Sequence, residues 1–477
     1  MPTQSPPSPS PSARSFTAVV TTGIYCRAGC GGRPLTRNTL PYRFAAAAEA
    51  DGFRPCLRCR PDREPDSGWV DAPELVCRAL RLLADGALDD ATEDEVAARL
   101  GVSARHLRRM FAEHVGATPN EVARSRRAHF ARRLLDDTDL PMAKIASAAG
   151  FGSVRHLNRI VKEVFRFTPR ELRDRRRDPG RLVADGGLAL RLPFRPPLAW
   201  DVMLSFIAPR AVPGVECVDL DAGAYRRTVR LDGEAAVIEV APGADDALVL
   251  RVHVDDCHGL VHLVSQVRGL FDLDADPNRV DTHLARDSRL RPLVGRHRGL
   301  RVPGAIDPVE LGVRAILGQH VSVAHASRLA GRVVAAYGTP LPGLEPLGLT
   351  HLFPTPATLA AAPVADVGIP GARAAAIRAF AAASVPLDGS LELDELVSAL
   401  RSLPGIGEWT AHYIAMRAAR ERDAFPAGDL GLQRVLGGDA GRVAAMSAAW
   451  RPFRAYAAIH LWCAGASARP AHSRQLA

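Results

Sequence analysis

The sequence has 477 residues, of which 47% are hydrophobic and 24% are charged; this is the composition of a globular protein, and the length predicts about two to four domains. The net charge of +9 favours an acidic partner such as nucleic acid. No run of about twenty apolar residues and no signal peptide occurs, which argues against a membrane protein and predicts a cytoplasmic one.

The N-terminal region combines a Pro/Ser-rich stretch at 1–13, predicted to be a disordered tail, with a cysteine-rich module predicted at 14–66. Cys26 and Cys30 form one close pair, and Cys56 and Cys59 form a second pair 25 residues later. Two such pairs can meet tetrahedrally around Zn²⁺, so the spacing predicts zinc as a cofactor. Spacing alone leaves open a zinc ion that only holds the module together.

The segments "TTGIYCRAGC" and "FRPCLRCRPD" resemble the N-terminal domain of the Ada adaptive-response family. The resemblance implies that Cys26 accepts a methyl group from a DNA phosphotriester and acts once, because no step regenerates its thiolate. It also implies DNA contacts by Thr22, Arg33 and Arg54. Gly31 stands where the family pattern has an arginine, so one of the family's phosphate contacts is missing at this position.

A helical segment is predicted at 71–175, and it contains an internal repeat with an offset of fifty residues. The repeat pairs Ser103 with Ser153 and Thr118 with Thr168, and each copy reads as a short helix, a tight turn and a second helix. Helical spacing predicts a core role for four apolar side chains, namely Leu107, Phe111, Leu157 and Ile160.

The repeated sequence resembles the AraC-type regulators, which implies two recognition helices at about 103–114 and 153–164. Arg105, Arg155 and His156 are predicted to contact DNA, and the same helices also carry His106, Arg108 and Asn158. For any one of these arginines, a phosphate or solvent contact is an alternative to reading a base.

A charged linker is predicted at 176–195, a mixed α/β domain at 196–290 and a helical domain at 291–470. In the last of these, "LPGIGEWT" fits the turn of a helix-hairpin-helix. Gly405 and Gly407 are predicted to adopt turn dihedrals barred to other residues and to let backbone N–H groups approach a phosphate. A plain loop between two core helices is the alternative. Asp429 begins an apolar helix downstream, and on its own it could be only a helix N-cap.

The hairpin, Asp429 and the segments "LRVPGAIDPVELGVRAILGQHVSV" and "RAYAAIHLWCAG" together resemble the AlkA-type 3-methyladenine DNA glycosylases. The resemblance implies that Asp429 is the catalytic carboxylate and that Gln319 and His320 contact DNA, with His320 in place of an expected leucine wedge. The implied base-pocket aromatics are Phe206, Trp409, Tyr413 and Trp462, although core packing is the alternative for each of them taken singly.

The basic residues limit the chemistry of this C-terminal half, because the only lysines are Lys144 and Lys162. Some helix-hairpin-helix glycosylases place a lysine where Trp409 stands, and its amine forms a Schiff base that permits strand cleavage. The sequence therefore predicts release of the base without strand cleavage. A four-cysteine set for an iron-sulfur cluster is also missing from this half.

These observations predict a multidomain α+β protein in four parts: a small zinc module, an all-α double helix-turn-helix, a mixed α/β domain and an all-α helix-hairpin-helix glycosylase domain. The predicted function joins a methyl-sensing transcription activator to a glycosylase for alkylated purines. The expected partner is double-stranded DNA, both alkylated and promoter DNA, with RNA polymerase as a further partner and a monomeric chain. The alternatives are a DNA-binding regulator with an inactive glycosylase-like domain, and a glycosylase with a merely structural zinc module.

Overall fold

The computed structural model describes residues 16–32, 34–61, 72–175, 183–184, 187–254 and 256–467. The chain divides into two compact units, one formed by residues 1–194 and 254–265 and the other by residues 195–253 and 266–477. The predicted tail at 1–13, Arg33 and parts of the predicted linker, at 176–182 and 185–186, lie outside the described residues. In the ranges given above, every helix is too short or too polar to cross a bilayer.

The first unit begins with a small sheet that positions the cysteines. Its elements are β1 (Phe16–Val19), β2 (Ile24–Arg27), β3 (Thr39–Tyr42), α1 (Ala45–Ala50) and β4 (Arg54–Pro55). The strand order is β3-β1-β2-β4, in which β1 is antiparallel to β2 and β3, while β2 and β4 are parallel. Phe16 and Tyr25 pack edge to face with ring centroids 5.7 Å apart. The parallel pairing of β2 with β4 brings the two cysteine pairs to one end of the sheet.

The helical segment of the first unit contains the predicted duplication. Its helices are α2 (Glu74–Ala84), α3 (Ala87–Asp90), α4 (Glu93–Arg99), α5 (Ala104–His114), α6 (Pro119–Asp137), α7 (Met142–Ala148), α8 (Val154–Phe165) and α9 (Pro169–Asp174). Helices α5 and α8 coincide with the two predicted recognition helices. The side chains of Ser103 and Ser153 cap these two helices. Each Oγ accepts the backbone N–H of the residue three positions later, at 3.2 Å for Ser103 and 3.1 Å for Ser153.

The duplication extends to the helices that follow α5 and α8. Thr118 and Glu121 form a capping box at the start of α6, and Thr168 and Glu171 form the same box at α9. In both boxes the threonine N–H donates to the glutamate carboxylate at 2.7 Å. The four side chains assigned to the core by their spacing are all buried, namely Leu107, Phe111, Leu157 and Ile160. The core prediction is therefore confirmed.

A short antiparallel pair, β5 (Val183–Ala184) and β6 (Gly187–Pro193), precedes the second unit. The second unit opens with α10 (Trp200–Ile207) and continues through β7 (Glu216–Asp219), β8 (Ala224–Leu231), β9 (Glu234–Pro242) and β10 (Ala247–His253). These four strands form an antiparallel meander. Alternate residues of β9 are buried, namely Ala236, Ile238 and Val240, which is the period-two pattern of a strand with one face on the core.

The rest of the chain is almost entirely helical, as predicted for its part from residue 291 onward. Its elements are α11 (Leu260–Leu270), α12 (Pro277–Leu284), α13 (Arg291–Arg296), α14 (Pro308–Leu317), α15 (Val323–Tyr337), β11 (Thr339–Pro340), β12 (His351–Leu352), α16 (Pro356–Ala361), α17 (Gly371–Ala382), α18 (Leu393–Arg401), α19 (Glu408–Arg417), α20 (Leu430–Leu436), α21 (Ala440–Ser447) and α22 (Arg454–Ser467). The turn between α18 and α19 is the predicted hairpin.

The two hairpin glycines, Gly405 and Gly407, differ in backbone conformation and in the space around them. Gly405 has φ +77°, and a Cβ there would lie 2.7 Å from the Cβ of Ala376, so a side chain is excluded both by conformation and by space. Gly407 caps α19 with φ −86° and ψ 176°, a conformation that any residue adopts. The prediction that both glycines need special turn dihedrals is therefore wrong for Gly407, whose missing side chain instead leaves the start of α19 open, with no atom within 4 Å of the Cβ position.

Candidate functional site

The four clustered cysteines converge at one end of the small sheet. Cys26 lies on β2 and Cys56 follows β4, while Cys30 and Cys59 lie in the turns after them. All four Sγ atoms lie within 4.8 Å of one another. The Cys56 N–H donates to the Tyr25 carbonyl at 2.9 Å, which fixes the second pair beside the first.

Electrostatics explains why this cluster needs a cation. Burial, together with the neighbouring thiols of Cys56 and Cys59, raises the pKa of Cys26. Burial likewise raises the pKa of Cys59 to about 12. Four thiols this close cannot all ionise unless a positive ion offsets their repulsion. A tetrahedral set of four sulfur ligands is the donor set that Zn²⁺ takes in proteins, so the cluster is a zinc site.

The residues predicted to contact DNA near this cluster differ in their surroundings. Thr22 is exposed in the β1–β2 turn, where its hydroxyl donates to the Val19 carbonyl at 3.3 Å. Arg54 is half-buried, with its guanidinium 5.8 Å from the Phe167 ring. Sequence reasoning missed Arg58: its Nη2 lies 3.7 Å from the position that a Cβ on Gly31 would take. An arginine charge is thus present where the sequence has lost the expected one.

The predicted DNA-contacting residues of the double helix-turn-helix lie on α5 and α8. Arg105 and Arg155 are exposed, whereas His156 is half-buried. The ring of His156 packs edge-on against Phe151, with centroids 5.3 Å apart. Burial and the charges of nearby arginines lower the pKa of His156, so its imidazole is neutral at pH 7.

In the second unit, Asp429 is held from three sides. It is the N-cap of α20, where its Oδ1 accepts the Leu432 N–H at 3.0 Å. The same oxygen accepts the indole N–H of Trp462 at 2.9 Å, and Oδ2 accepts the indole N–H of Trp409 at 3.0 Å. The capping role is therefore real, but it is not the only one, because the carboxylate also lines a cavity of about 1060 Å³.

The four aromatic residues predicted for a base pocket lie together beside this carboxylate. Trp409 and Tyr413 stack with centroids 5.4 Å apart at 21°, and Phe206 and Trp462 are 6.1 Å apart at 23°. Tyr413 joins the two pairs through Trp462 at 6.0 Å. Only Phe206 is buried, and the other three are partly exposed. A cleft with aromatic faces and one carboxylate suits a flat, flipped-out base.

The cavity is bordered by the hairpin and by the loop after α14. The Gln319 side chain donates to the Gly405 carbonyl at 2.8 Å and to the Thr410 hydroxyl at 2.9 Å. The Gln319 carbonyl in turn accepts from Arg373 at 2.7 Å. The next residue, His320, is exposed and has φ +56°, a backbone region that non-glycine residues seldom occupy and that often occurs at functional sites.

Two arginines of this cavity were not predicted. Arg210 lies with its Cζ 3.7 Å from the Phe206 ring centroid. Arg417 is 5.6 Å from the Tyr413 ring centroid, and its Nη1 donates to the Tyr413 hydroxyl at 2.7 Å. Each arginine follows its aromatic partner by four residues in the sequence, a spacing that could have indicated the contact.

The arginines alter the chemistry of Tyr413. Burial by itself would raise the pKa of Tyr413. The charges of Arg417 and Arg210, the hydrogen bond from Arg417 and the charge of Arg314 together outweigh this effect and hold the pKa below the ordinary tyrosine value. No ion pair of Arg210 or Arg417 with a carboxylate occurs among the residues that the structure describes. Arg417 instead donates to the Pro303 and Gly304 carbonyls, at 2.7 and 3.3 Å.

A third arginine of the cavity, Arg314, is neutralised. It lies 3.2 Å from Glu216 and 3.5 Å from Glu310. Arg227 pairs with the same two carboxylates, at 3.6 and 2.7 Å. The two positive charges of the guanidinium groups and the two negative charges of the carboxylates cancel in this buried network.

Comparisons with known families match three parts of the chain. Residues 8–62 match the metal binding domain of Ada, residues 96–175 a helix-turn-helix domain, and residues 189–307 the AlkA N-terminal domain. Among solved structures, the 3-methyladenine DNA glycosylase from Archaeoglobus fulgidus aligns with a TM-score of 0.52 at 22% identity, covering 58% of this chain and 98% of that chain. This structural likeness establishes the fold of the second half.

Two curated relatives extend the match along the chain. The DNA-3-methyladenine glycosylase 2 of Escherichia coli is 35% identical over 285 residues, covering 57% of this chain and 95% of that protein. The probable bifunctional transcriptional activator/DNA repair enzyme AlkA of Mycobacterium tuberculosis is 42% identical over 458 residues, covering 93% of this chain and 92% of that protein. Because this identity spans the zinc module, the helix-turn-helix segment and the glycosylase fold together, the chain belongs to the family of the bifunctional transcriptional activator/DNA repair enzyme AlkA.

Proposed function

We propose that the protein carries out two reactions on DNA. Its second unit excises alkylated purines of the 3-methyladenine type by hydrolysis, and its zinc module takes a methyl group irreversibly from DNA methylphosphotriesters and thereby activates transcription. The observation that carries the proposed excision is the Asp429 carboxylate, which two indole N–H groups hold at the wall of an aromatic cavity beside the hairpin.

Excision begins when the damaged nucleotide leaves the duplex, at a cost of about a few kcal/mol. The hairpin at Gly405 and Gly407 grips the DNA backbone through its N–H groups. His320, exposed at the tip of a loop that Gln319 fastens to the hairpin, enters the stack that the base has left. Imidazole can stack and also hydrogen-bond, so it can replace the apolar wedge that such enzymes use.

The chemistry then needs a stabilised cation rather than a strong acid. A purine methylated at N3 or N7 carries a positive charge, so the C1′–N bond breaks with its electron pair leaving on the base, which departs neutral. The sugar becomes oxocarbenium-like, and Asp429 stabilises its charge. A water oxygen bonds to C1′, and its proton passes to the carboxylate or to solvent.

The product is an abasic site in an intact strand. Strand cleavage in this superfamily relies on a lysine amine that attacks the sugar. Trp409 occupies the corresponding position, and no lysine follows Lys162. The enzyme is therefore a monofunctional glycosylase without lyase activity.

The second reaction takes place on Cys26. Its thiolate attacks the methyl carbon of a methylphosphotriester, an S–CH₃ bond forms, the C–O bond breaks, and an ordinary phosphodiester anion leaves. Zinc, held by Cys26, Cys30, Cys56 and Cys59, keeps the thiols ionised at neutral pH when bound. Thr22, Arg33 and Arg54 contact the DNA backbone, and Arg58 supplies the charge missing at Gly31. Methylation removes one negative charge from the cluster, so repulsion from DNA falls and binding tightens.

The double helix-turn-helix directs the methylated protein to a promoter. Helices α5 and α8 enter successive major grooves about 34 Å apart. Arg105 and Arg155 are exposed and reach the DNA, while His156 contributes a neutral imidazole. Activation involves RNA polymerase as a further partner, and the chain acts as a monomer.

The excision reaction is tested on methylated duplex DNA. The wild type should release 3-methyladenine, and its DNA product should break only after alkali treatment. Asp429→Asn should lose the release almost completely while still binding DNA, because the amide keeps the shape but not the charge. Equal release by the variant would contradict the assigned role of Asp429, and release by neither would favour a regulator with an inactive domain.

The methyl transfer is tested by mass spectrometry of the full-length protein after incubation with methylated DNA. A single added methyl group should map to Cys26. An unmodified Cys26 in protein that contains zinc would instead support a merely structural metal module.

A further inference from the structure

The cavity that holds Asp429 is charged unevenly. At one end, the carboxylate is held by the indole N–H groups of Trp409 and Trp462. At the other end, Arg210 covers a face of Phe206 and Arg417 donates to the Tyr413 hydroxyl. Guanidinium groups stay protonated in proteins, and neither of these two forms an ion pair within the described part of the chain. Two positive charges therefore remain at the far end of an aromatic pocket.

We propose that Arg210 and Arg417 are specificity-determining residues that make this end of the pocket cationic, thereby offsetting its preference for positively charged bases and promoting the loss of neutral ones. The inference rests on the proposed excision reaction and adds to it. Aromatic faces alone would favour cationic bases strongly, whereas these charges oppose that preference.

The first reason is the position of the charges against the rings. The guanidinium of Arg210 lies 3.7 Å from the centroid of Phe206, and that of Arg417 lies 5.5 Å from the same ring. Both guanidinium groups also border the cavity itself, so a cationic base held there would meet two like charges. The lowered pKa of Tyr413 agrees with a positive field in the cavity, because the charges of Arg417, Arg210 and Arg314, with the hydrogen bond from Arg417, overcome the effect of burial there.

The second reason is the change in charge during the reaction. The electron pair of the C1′–N bond leaves on the base in every case, so the charge of the base falls by one unit. A neutral base becomes anion-like, and the arginines stabilise it. A cationic base is repelled by the arginines before the bond breaks. It becomes neutral as the bond breaks, and the arginine charges then neither stabilise nor destabilise it.

These two cases predict different kinetics when a charge is removed. The rate from the bound state should fall for both bases, because the arginines favour the departing electron pair equally. The binding of a cationic base should improve, since a repulsion is lost. The second-order rate constant, which compares the transition state with free DNA, should therefore fall only for the neutral base.

The experiment uses the full-length protein with zinc, in excess over duplex oligonucleotides that carry one 7-methylguanine or one hypoxanthine. The former base is cationic in DNA and the latter is neutral. Arg210→Met keeps an unbranched, somewhat shorter side chain and removes the charge. Its second-order rate constant should fall about tenfold on hypoxanthine and change less than about twofold on 7-methylguanine. Arg417→Met should shift the ratio in the same direction, which keeps the test available if one variant does not fold.

Arg210→Lys is the matched control, because it retains the positive charge. Lysine lacks the flat guanidinium face that lies on Phe206, but its charge should keep the wild-type ratio of the two rate constants to within about threefold. Equal loss on both substrates in the folded methionine variants would overturn the inference, and so would a lysine variant that behaves like methionine. If the wild type releases neither of the two bases nor 3-methyladenine, the proposed excision itself fails. If the wild type releases them and the methionine variants keep the wild-type ratio of the two rate constants, only the role of the arginines is refuted.

Discussion

Glu49 Oε1 lies 2.5 Å from His129 Nε2, so a carboxylate on α1 of the zinc module meets an imidazole on α6 of the helix-turn-helix segment. Both side chains are largely buried. The Tyr25 hydroxyl donates to the same carboxylate oxygen at 2.7 Å, and the His129 ring packs on Phe165 with centroids 5.4 Å apart. Because Tyr25 precedes Cys26 and Phe165 ends α8, packed side chains connect the proposed methyl-accepting cysteine to the proposed recognition helix α8.

Glu49→Ala should loosen this connection. Removing one partner of a buried hydrogen bond leaves the other unsatisfied at a cost of about 1–3 kcal/mol, and this loss should appear locally in α1 and α6. Amide hydrogen exchange of the two helices, followed by mass spectrometry, should accelerate by up to about a hundredfold. Glu113→Ala is the control, because the Glu113 side chain is 64% exposed and its loss should leave the exchange unchanged. Unaltered protection of α1 in the Glu49 variant would show that the pair does not hold the module in place.

Trp462→Phe should slow base release without abolishing binding. The phenyl ring keeps an aromatic face in the cavity, but the N–H donor to Asp429 Oδ1 is lost, and the carboxylate is then held less firmly. Single-turnover release of 7-methylguanine should fall by about tenfold or more, with little change in DNA affinity.

Trp450→Phe is a matched control for that variant, since Trp450 also donates its indole N–H to an aspartate, Asp287, at 2.9 Å. Trp450 does not line the cavity, so this change should affect stability and leave the rate of release unaltered. Similar slowing in both variants would mean that loss of stability, rather than the orientation of Asp429, explains the effect.

Arg58→Ala should weaken the binding of methylated protein to duplex DNA. One phosphate contact fewer should lower the affinity by about fivefold and reduce the slope of log affinity against log salt by about one. Gly31 has open space around it except for Arg58 itself, so Gly31→Arg in the Arg58→Ala background should restore both quantities. Failure to restore them would place the Arg58 contact elsewhere on the DNA.

His460 should make the second unit sensitive to acid. It is 1% exposed, and burial lowers its pKa to about 4. In the unfolded chain His460 takes up a proton as the pH falls below about 6.5, whereas in the folded chain it stays neutral. The free energy of unfolding therefore has its full value above that pH. It should fall by up to about 3 kcal/mol as the pH drops to about 4.

Urea unfolding followed by tryptophan fluorescence measures this loss, because Trp200, Trp409, Trp450 and Trp462 all lie in the second unit. His460→Leu should flatten the dependence between these pH values. His253→Leu, at an exposed histidine, should leave the slope as it is in the wild type. An unchanged slope in the His460 variant would exclude this histidine as the cause.

Sequence reasoning was most effective where a motif is local. The cysteine pairs, the repeated serine and threonine caps and the glycine turn before α19 each depend on residues a few positions apart, and their geometry follows from that spacing. Asp429 could also be singled out, because a capping aspartate after a hairpin combines two local signals. The multidomain α+β organisation is confirmed for the same reason, since each part has its own periodicity.

Side chains that act through distant partners escaped prediction. The Glu49–His129 contact joins residues eighty positions apart, and Arg58 approaches Gly31 only because β2 and β4 pair in parallel. Arg210 and Arg417 look like ordinary surface cations in the sequence. Only packing reveals that Arg314 is neutralised by Glu216 and Glu310 while the other two are not. Unpaired charge is a property of the folded neighbourhood, which spacing does not encode.

The bonds from Gln319 to Gly405 and Thr410 have a consequence for how undamaged DNA is searched. They tie the loop before α15 to the hairpin turn, so in the proposed excision the hairpin's phosphate contact and the base step that His320 enters are held at one spacing. We therefore expect the enzyme to test one nucleotide at each position on the duplex and to reach a neighbouring lesion only after it moves along the DNA.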